Sequence, residues 1–445
     1  MVTHGNRANR AAALAVLALV AAGCSGGTAT DGAAGDTRGG EKAPTRQRER
    51  AEERQEQSAV RLIGDGSTAY TGPQPGARTA EPLAPGEEPP QFVVFSWDGA
   101  GEDGSGLFER FRELGQEYDA DMTFFLSGLY LLPESERERY HPPGRAPGAS
   151  DIGYLNDQHI ADTLEQVAAA WREGNEIGTH FNGHFCGADG VASWTPEEWR
   201  SEIEQAVWMV QNWRTTTGFT DMDPLPFDYA EELIGGRTPC LEGQDNLLRA
   251  AADLGFRYDS SGNGLQVWPD KRHGLWDVPL QSVPVPGHDF ETLSMDYNFM
   301  YNQSGPGSGD PARHAEWGEE MRQGLMAAFD RALDGNRAPL IIGNHFESWN
   351  GGVYMDAVEA VIKDVCPRDG VECVSFRQLV DWLDAQDPAV LEKLRTLDVG
   401  EAPAGGWAAF LSGGDDGGDG AGAGAAPETE PGTEPDTEAG ATAGT

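Results

Sequence analysis

The sequence predicts an α/β fold in which short buried strands alternate with helices. The chain has 445 residues, enough for one large domain or two ordinary ones. Short apolar runs alternate with segments of helical periodicity over about 300 residues of its middle, and several of these runs end in a polar residue. Repeated strand–helix units are typical of a (β/α) barrel or of a doubly wound sheet, and length alone does not separate the two.

The first half of this middle region contains three predicted strands. Phe92–Ser96 is an apolar run that leads into "WDG", and "DMTFFLSG" is the second run. The segment "ADTLEQVAAAWREG" has apolar residues at helical spacing and ends in Gly174. A third short strand, "EIGTH", ends at His180. These segments therefore form strand–helix units whose strands finish in polar turns.

A long helix is predicted for "WTPEEWRSEIEQAVWMVQNWRTTTG". Thr195 is suited to cap it, Pro196 fits the first turn, and Glu198 completes a capping box. The elements after this helix follow the same alternation. They are a helix in "NLLRAAADLGF", a strand end in "RYDS", strands in "GLWDVPL" and Pro339–His345, a helix in "YMDAVEAVIKD", a strand in "VECVSF" and a helix in "RQLVDWLD".

The N-terminus has the pattern of an export signal. Arg7 and Arg10 precede an apolar run, Ala11 to Ala22, that is too short to span a bilayer. The run leads into "AAGC", which resembles a bacterial lipoprotein signal in which Cys24 is lipidated and becomes the new N-terminus. We therefore predict a signal peptide at 1–24 and a protein lipid-anchored at the extracellular face of the bacterial cell membrane. An ordinary signal peptide with an incidental cysteine is the alternative.

Both flanks of the middle region have the composition of linkers. Residues 25–89 and 389–445 are rich in small, polar and charged residues, so we predict a disordered linker, a domain at 90–388, and a second linker with a disordered acidic tail. The formal net charge is −41. This charge argues against nucleic acid as a partner, because phosphates require a basic surface.

Four cysteines remain after export into an oxidising compartment, and four allow three pairings. Cys366 and Cys373 enclose a short loop with a turn inside, so we predict that they pair. Cys186 and Cys240 are then the second pair by remainder. A zinc site built from these cysteines is the competing interpretation, although their spacing is not that of two CxxC pairs.

Polar residues at the strand ends suggest an active site. In a barrel, strand ends and their adjoining turns meet at the carboxyl face. His180 and His184 are four residues apart, which in a helical turn places both imidazoles on one side, where they can hold one metal ion. Asp98 would add an oxygen ligand. Two histidines and one carboxylate leave a position open for water, as in a catalytic metal site.

The order of these motifs resembles that of the polysaccharide deacetylase (NodB-homology) family. The resemblance extends from about Gln91 to Gln386 and rests on five motifs, which are Trp97-Asp98-Gly99, His180 with His184, Arg237-Thr238-Pro239, "GFRYDSS" with Asp259, and "IIGNH" with His345. Longer phrases, namely "YDSS", "GLWDVPL", "MDYNFMYN" and "NHFESWNGG", resemble the chitin-deacetylase-like branch. The resemblance implies a distorted, incomplete (β/α) barrel that removes N-acetyl groups from a polysaccharide, either chitin-like or peptidoglycan.

The resemblance also implies a role for each matched residue. Asp98, His180 and His184 would bind zinc or a similar divalent ion. His345 would be the general acid, oriented by Asp259. The remaining residue with an implied role is Arg237, which in the family pairs with the catalytic base. Pro239, in the third motif, is predicted to lie on the substrate side. Trp349 is the best candidate among the tryptophans to stack on a sugar ring.

One departure from the family bears directly on activity. The base is the first Asp of an Asp-Asp pair, and taking Asp98 as the second places Trp97 at that position. Arg237 would then lack its carboxylate partner. Glu102 or Asp103 could substitute as the base. The alternative is a catalytically impaired carbohydrate-binding protein with a deacetylase fold.

Overall fold

The computed structural model describes residues 60–305 and 309–412. The strands are β1 Arg61–Ile63, β2 Thr68–Tyr70, β3 Gln91–Asp98, β4 Thr123–Leu126, β5 Glu176–Thr179, β6 Gly235–Gly236, β7 Tyr258–Asp259, β8 Asn263–Gly264, β9 Asp270–Arg272, β10 Leu275–Asp277, β11 Leu280–Pro284, β12 Glu291–Leu293, β13 Leu340–His345 and β14 Val371–Cys373. The α-helices are α1 Leu107–Tyr118, α2 Asp157–Arg172, α3 Pro196–Gln211, α4 Trp213–Thr217, α5 Tyr229–Glu232, α6 Gln244–Ala251, α7 Asp296–Ser304, α8 His314–Leu333, α9 Val353–Val365, α10 Phe376–Ala385, α11 Pro388–Leu394 and α12 Gly406–Ser412.

The central sheet is a curled, open β/α half-barrel. Its strand order is β13-β3-β4-β5-β6-β7-β10-β9, and β14 pairs with the start of β3. Every neighbouring pair from β13 to β10 is parallel, and β9 is antiparallel to β10. In the described part of the chain, β13 and β9 stand at opposite ends of this order. The incomplete barrel that the sequence predicted is therefore confirmed.

Side chains of β3 alternate between two apolar clusters. Val93, Phe95 and Trp97 belong to the larger cluster, which includes residues of α1, α2 and α9. Phe92 and Val94 belong to the smaller cluster, with residues of α10. Successive side chains of a strand point to opposite faces, so Ser96 and Asp98 share the face of Phe92 and Val94. This alternation decides which residue at the end of β3 faces the site.

The capping box and both disulfides are confirmed. The Thr195 side chain accepts a hydrogen bond from the Glu198 amide, and the Glu198 side chain accepts one from the Thr195 amide. The helix predicted there as one unit is two, because Asn212 interrupts it. The disulfides are Cys186–Cys240 and Cys366–Cys373.

The predicted linkers are wrong for their parts nearest the domain. In residues 60–89, β1 and β2 form a hairpin in which Ser67, Thr68 and Ala69 are fully buried. At the other end, α11 and α12 follow the domain, and α11 buries Leu391 and Leu394 in the smaller cluster. Buried residues thus anchor both segments to the domain, with the Ala69 amide also donating to the Leu225 carbonyl at 2.8 Å, which composition alone did not indicate.

The predicted signal peptide and Cys24 lie outside the described residues, as does the acidic tail from 413 onward. Among the helices of the described ranges, none is both long enough and apolar enough to cross a membrane.

Candidate active site

The carboxyl ends of the strands bring four predicted residues to one opening. Asp98 ends β3, His345 ends β13, and His180 directly follows β5. These three and His184 line two adjoining cavities of about 520 and 200 Å³. The convergence predicted from the sequence is therefore present for Asp98, His180, His184 and His345.

Asp98 is bound to Arg237 inside the barrel. The Arg237 Nη1 donates to Asp98 Oδ1 at 2.7 Å and to Ser96 Oγ at 3.0 Å. Its Nε donates to the Ser260 carbonyl at 3.1 Å, and its Nη2 donates to Ser260 Oγ at 2.8 Å. The Arg237 side chain is fully buried. Burial alone would raise the pKa of Asp98, but the charge and hydrogen bond of Arg237, together with the charges of His180 and His345, outweigh it and the pKa lies below its usual value. Asp98 is therefore held as a carboxylate.

The prediction that Arg237 has no carboxylate partner is wrong, and so is the view that Trp97 takes the place of the base. Trp97 is fully buried in the larger cluster, where its ring centroid lies 4.7 Å from that of Phe111 and 5.5 Å from that of Phe124. A side chain at 97 faces this cluster and not Arg237. The carboxylate that pairs with Arg237 is therefore Asp98, and the residue after it is Gly99.

Burial keeps the two histidines as neutral imidazoles. The Nδ1 of His180 is 2.9 Å from the Arg237 carbonyl, which leaves Nε2 as the nitrogen able to bind a metal. The ring centroids of His180 and His184 are 5.2 Å apart. Burial lowers the pKa of His180 to about 3 and also lowers that of His184. Neutral imidazoles are the form that binds metals, so this pair fits a divalent cation.

A buried network supports the loop that carries His184. The Tyr140 hydroxyl donates to Glu202 Oε1 at 2.9 Å and accepts from the Gly183 amide at 3.1 Å. Asn182 Nδ2 donates to the Glu202 carbonyl at 2.9 Å. Burial raises the pKa of Glu202 to about 7. The histidine loop is thereby tied to α3 on the side away from the cavity.

The predicted triad of Asp98, His180 and His184 is not assembled as a compact ligand set. Among the described residues, the group of three whose ligand atoms all lie within 4.8 Å of one another is His184, Cys186 and Cys240, and the two cysteines form a disulfide. Asp98 is instead engaged by Arg237. The two histidines therefore share the cavity with Asp98, whose Oδ1 is engaged by Arg237.

His345 is oriented by Asp296, a residue that the sequence analysis missed. Its Nδ1 is 2.8 Å from Asp296 Oδ1, and its amide donates to Asp296 Oδ2 at 2.7 Å. Burial alone would lower the pKa of His345, but the carboxylate of Asp296 outweighs it and the pKa is raised. The available signal was the position of Asp296, an acidic residue in "SMDYNF" that begins a helix directly after a strand.

The predicted role of Asp259 is wrong. Its oxygens accept from Ser261 Oγ at 2.7 Å and from Gln244 Nε2 at 2.7 Å, and burial raises its pKa to about 6. Ser261 Oγ in turn accepts from the Thr238 amide at 2.9 Å. Asp259 therefore supports the turn that follows Arg237 and does not orient His345.

Comparison with known proteins gives structural neighbours without sequence relatives. No protein-family model matches the chain, and no curated protein does. A Mycobacterium smegmatis protein classed as a polysaccharide deacetylase aligns over 69% of this chain and 95% of its own, with 17% identity and a TM-score of 0.42. A CE4 family pseudoenzyme of Bacillus anthracis aligns over 69% and 71%, with 11% identity and a TM-score of 0.35. The peptidoglycan deacetylase PdaC of Bacillus subtilis aligns over 66% and 92%, with 12% identity and a TM-score of 0.34.

The two residues predicted as substitute bases have different surroundings. Glu102 is buried, and its Oε1 accepts from the Gly104 amide at 2.7 Å and the Gly106 amide at 3.1 Å. It holds the loop before α1 and does not line either cavity. Asp103 lines the smaller cavity, together with Glu347. The loop thus places one acidic side chain at the opening and uses the other to fix its backbone.

Of the two residues predicted to contact substrate, Trp349 lines a cavity and Pro239 does not. Trp349 lines the larger cavity, with its ring centroid 5.3 Å from that of His345. Pro239 is buried at the start of a 3₁₀ turn, and it is the flanking Thr238 and Cys240 that line the cavity. Pro239 therefore shapes the turn, whereas Trp349 is available to a ligand.

Proposed function

We propose that the protein is a metal-dependent hydrolase that removes N-acetyl groups from an amino sugar polymer, either chitin-like or peptidoglycan. One observation carries the proposal. A carboxylate kept ionised by a buried arginine shares a cavity with two neutral histidines and with a histidine paired to an aspartate. This set supplies a base, a metal site and an acid for the hydrolysis of an amide.

His180 and His184 would hold the divalent ion, zinc or a similar metal. When bound, it supplies polarisation of the acetyl carbonyl and activation of a water. Asp98 accepts a proton from the attacking water, and Arg237 keeps it ionised and oriented for this role. His345 then donates a proton to the leaving amine. Asp296 supports this role because it stabilises the charged form of His345.

The proposal predicts that zinc-loaded protein releases acetate from oligomers of N-acetylglucosamine. A His184→Ala variant should lose stoichiometric zinc, because His184 is one of the two imidazoles that fit the metal, and should lose turnover with it. Metal analysis and acetate detection on the same samples check both points. Zinc-loaded protein that releases no acetate from these oligomers or from peptidoglycan would contradict the proposal, as would full zinc occupancy in the variant.

The same proposal places the protein at the extracellular face of the cell membrane, attached through Cys24. The two disulfides among the described residues support export, because they persist in oxidising compartments. A Cys24→Ser variant should leave the membrane fraction. Its recovery there in the same proportion as the unaltered protein would argue against lipid anchoring.

A second candidate is a carbohydrate-binding protein that does not catalyse. The observation that favours it is Gly99. Taking Asp98 as the first residue of the Asp-Asp pair places Gly99 at the second, so the site has no carboxylate at that position. A Cβ at Gly99 would lie 3.7 Å from the Tyr130 hydroxyl and 3.8 Å from Ser127 Oγ, which are ordinary contacts, and both side chains line the smaller cavity. A carboxylate at 99 would therefore enter the cavity that His180 and His184 also line.

Gly99→Asp is expected to raise zinc affinity at least about tenfold, because it adds an oxygen ligand beside two histidines. The φ of Gly99 is +63°, a region that Asp tolerates at a cost of about 1–2 kcal/mol. Gly99→Ala has the same backbone cost without the carboxylate and is the control. An inert wild type whose Gly99→Asp variant releases acetate would establish the second candidate, and equal zinc affinity in both variants would refute the expectation.

A further inference from the structure

Two of the six exposed large apolar side chains in the described part of the chain lie next to the candidate site. Tyr297 is 41% exposed and Tyr301 is 54% exposed. They are one turn apart on α7, and their rings are stacked with centroids 6.0 Å apart. Monomeric proteins bury most aromatic rings, so an exposed pair of rings beside a cavity is typical of a ligand-binding surface.

The pair continues into the site through Trp349. The Tyr297 centroid lies 5.8 Å from that of Trp349 and 6.4 Å from that of His345. Tyr297 and Trp349 both line the larger cavity, whereas Tyr301 is one turn further along α7. We name Tyr297, Tyr301 and Trp349 the aromatic ledge. It forms a continuous surface from the general acid outward.

The ledge is held on a fixed helix. α7 begins with Asp296, which is fully buried and orients His345. Near its end, Asn302 Nδ2 donates to Thr292 Oγ1 at 3.0 Å and Gln303 Nε2 donates to Glu320 Oε2 at 2.7 Å. The helix therefore sets the position of the ledge relative to the acid, so a ligand lying on the rings is placed in register with His345.

The negative charge of the protein favours uncharged sugar polymers over those that carry carboxylates. The chain has a formal net charge of −41, and Asp103 and Glu347 line the smaller cavity. This acidic surface disfavours a polymer with carboxylates of its own. Exposed aromatic rings offer flat apolar faces for the C–H faces of uncharged sugars and hydroxyls for their polar rims.

We infer that the aromatic ledge binds the sugars of an uncharged N-acetylglucosamine polymer that flank the residue at His345, with Tyr301 forming a distal subsite. The inference rests on the proposed function, because the reacting sugar defines the position of the others. It narrows the substrate to chitin-like chains. Peptidoglycan, whose muramic acid units carry carboxylates, fits the ledge less well.

The test compares binding of the N-acetylglucosamine dimer and hexamer by calorimetry in unaltered protein and in Tyr301→Ala. The unaltered protein should bind the hexamer more tightly, and the variant should reduce the hexamer-to-dimer affinity ratio about tenfold, as expected for one lost ring stack. Leu62→Ala, at a side chain 63% exposed on β1, is the control and should keep the ratio. An unchanged ratio in Tyr301→Ala, equal binding of both oligomers or no binding would overturn the distal subsite.

Two further measurements separate this inference from the proposed function. Length-dependent binding that Tyr301→Ala abolishes, in a protein that releases no acetate, would support the ledge and refute the hydrolase. Acetate release with an unchanged affinity ratio in Tyr301→Ala would support the hydrolase and refute the ledge. Tighter binding of a peptidoglycan hexasaccharide than of the N-acetylglucosamine hexamer would overturn the preference for an uncharged chain.

Discussion

Asp98→Asn is expected to lower kcat for deacetylation by about 10²–10⁴-fold, the usual contribution of a general base. Asn keeps the shape of the side chain and an oxygen that accepts from Arg237, but it cannot accept the proton of the attacking water. The buried Arg237 charge also loses its counter-ion, so we expect the free energy of unfolding to fall by up to about 3 kcal/mol. The measurement is turnover of acetylated oligomers at a temperature where the variant remains folded.

Zinc content distinguishes the base from a metal ligand in this variant. Because Asp98 is paired with Arg237 and does not form a compact ligand set with the histidines, zinc stoichiometry should be retained. Asp103→Asn is a matched control, since it removes the same charge from a side chain that lines the smaller cavity. Loss of zinc in Asp98→Asn would show that Asp98 is a ligand. A loss of turnover in Asp103→Asn as large as that in Asp98→Asn would move the base to Asp103.

Trp97→Asp is expected to destabilise the fold by about 5 kcal/mol or more and to create no activity. Removing a buried tryptophan typically costs about 3–5 kcal/mol, and the new carboxylate would lie among apolar rings without a partner. A loss of this size approaches the whole stability of many domains, about 5–15 kcal/mol. Urea unfolding followed by circular dichroism measures it.

Trp97→Phe tests whether the loss comes from the charge or from the packing. Phenylalanine keeps an aromatic ring next to Phe111 and Phe124, so we expect a smaller loss, of about 1–3 kcal/mol, and unchanged chemistry. A stable Trp97→Asp protein with turnover above that of the unaltered chain would refute the placement of Trp97 in the core and restore position 97 as the site of the base.

The strand–helix order could be predicted because each element has a local signal. The capping box at Thr195 and the apolar run from Pro339 to His345 both led to elements that the structure contains. The face of Asp98 could not be predicted in the same way. The run "FVVF" is apolar on both sides of β3, so it gives no indication of which alternate residues point into the barrel.

The partner of His345 could not be predicted from the sequence for a different reason. Asp259 ends a strand and Asp296 comes shortly after one, and the sequence does not indicate which of them reaches a histidine many residues away. The choice depends on β11 and β12, which stand beside β13 and bring Ser294 and Met295 against Gly343. This contact between distant segments places Asp296 under His345. A contact of this kind joins segments far apart in the sequence, so the periodicity of apolar residues does not reveal it.

The disulfide between Cys186 and Cys240 makes the candidate site sensitive to how the protein is produced. It links the loop of His184 to the turn after Arg237, two segments 54 residues apart, and closing a loop of that length stabilises the fold by about 4 kcal/mol in chain-entropy models. Protein made in a reducing cytoplasm would lack this covalent link between the loop of His184 and the turn after Arg237. Inactivity of such a preparation would therefore say nothing about the chemistry of the disulfide-bonded form.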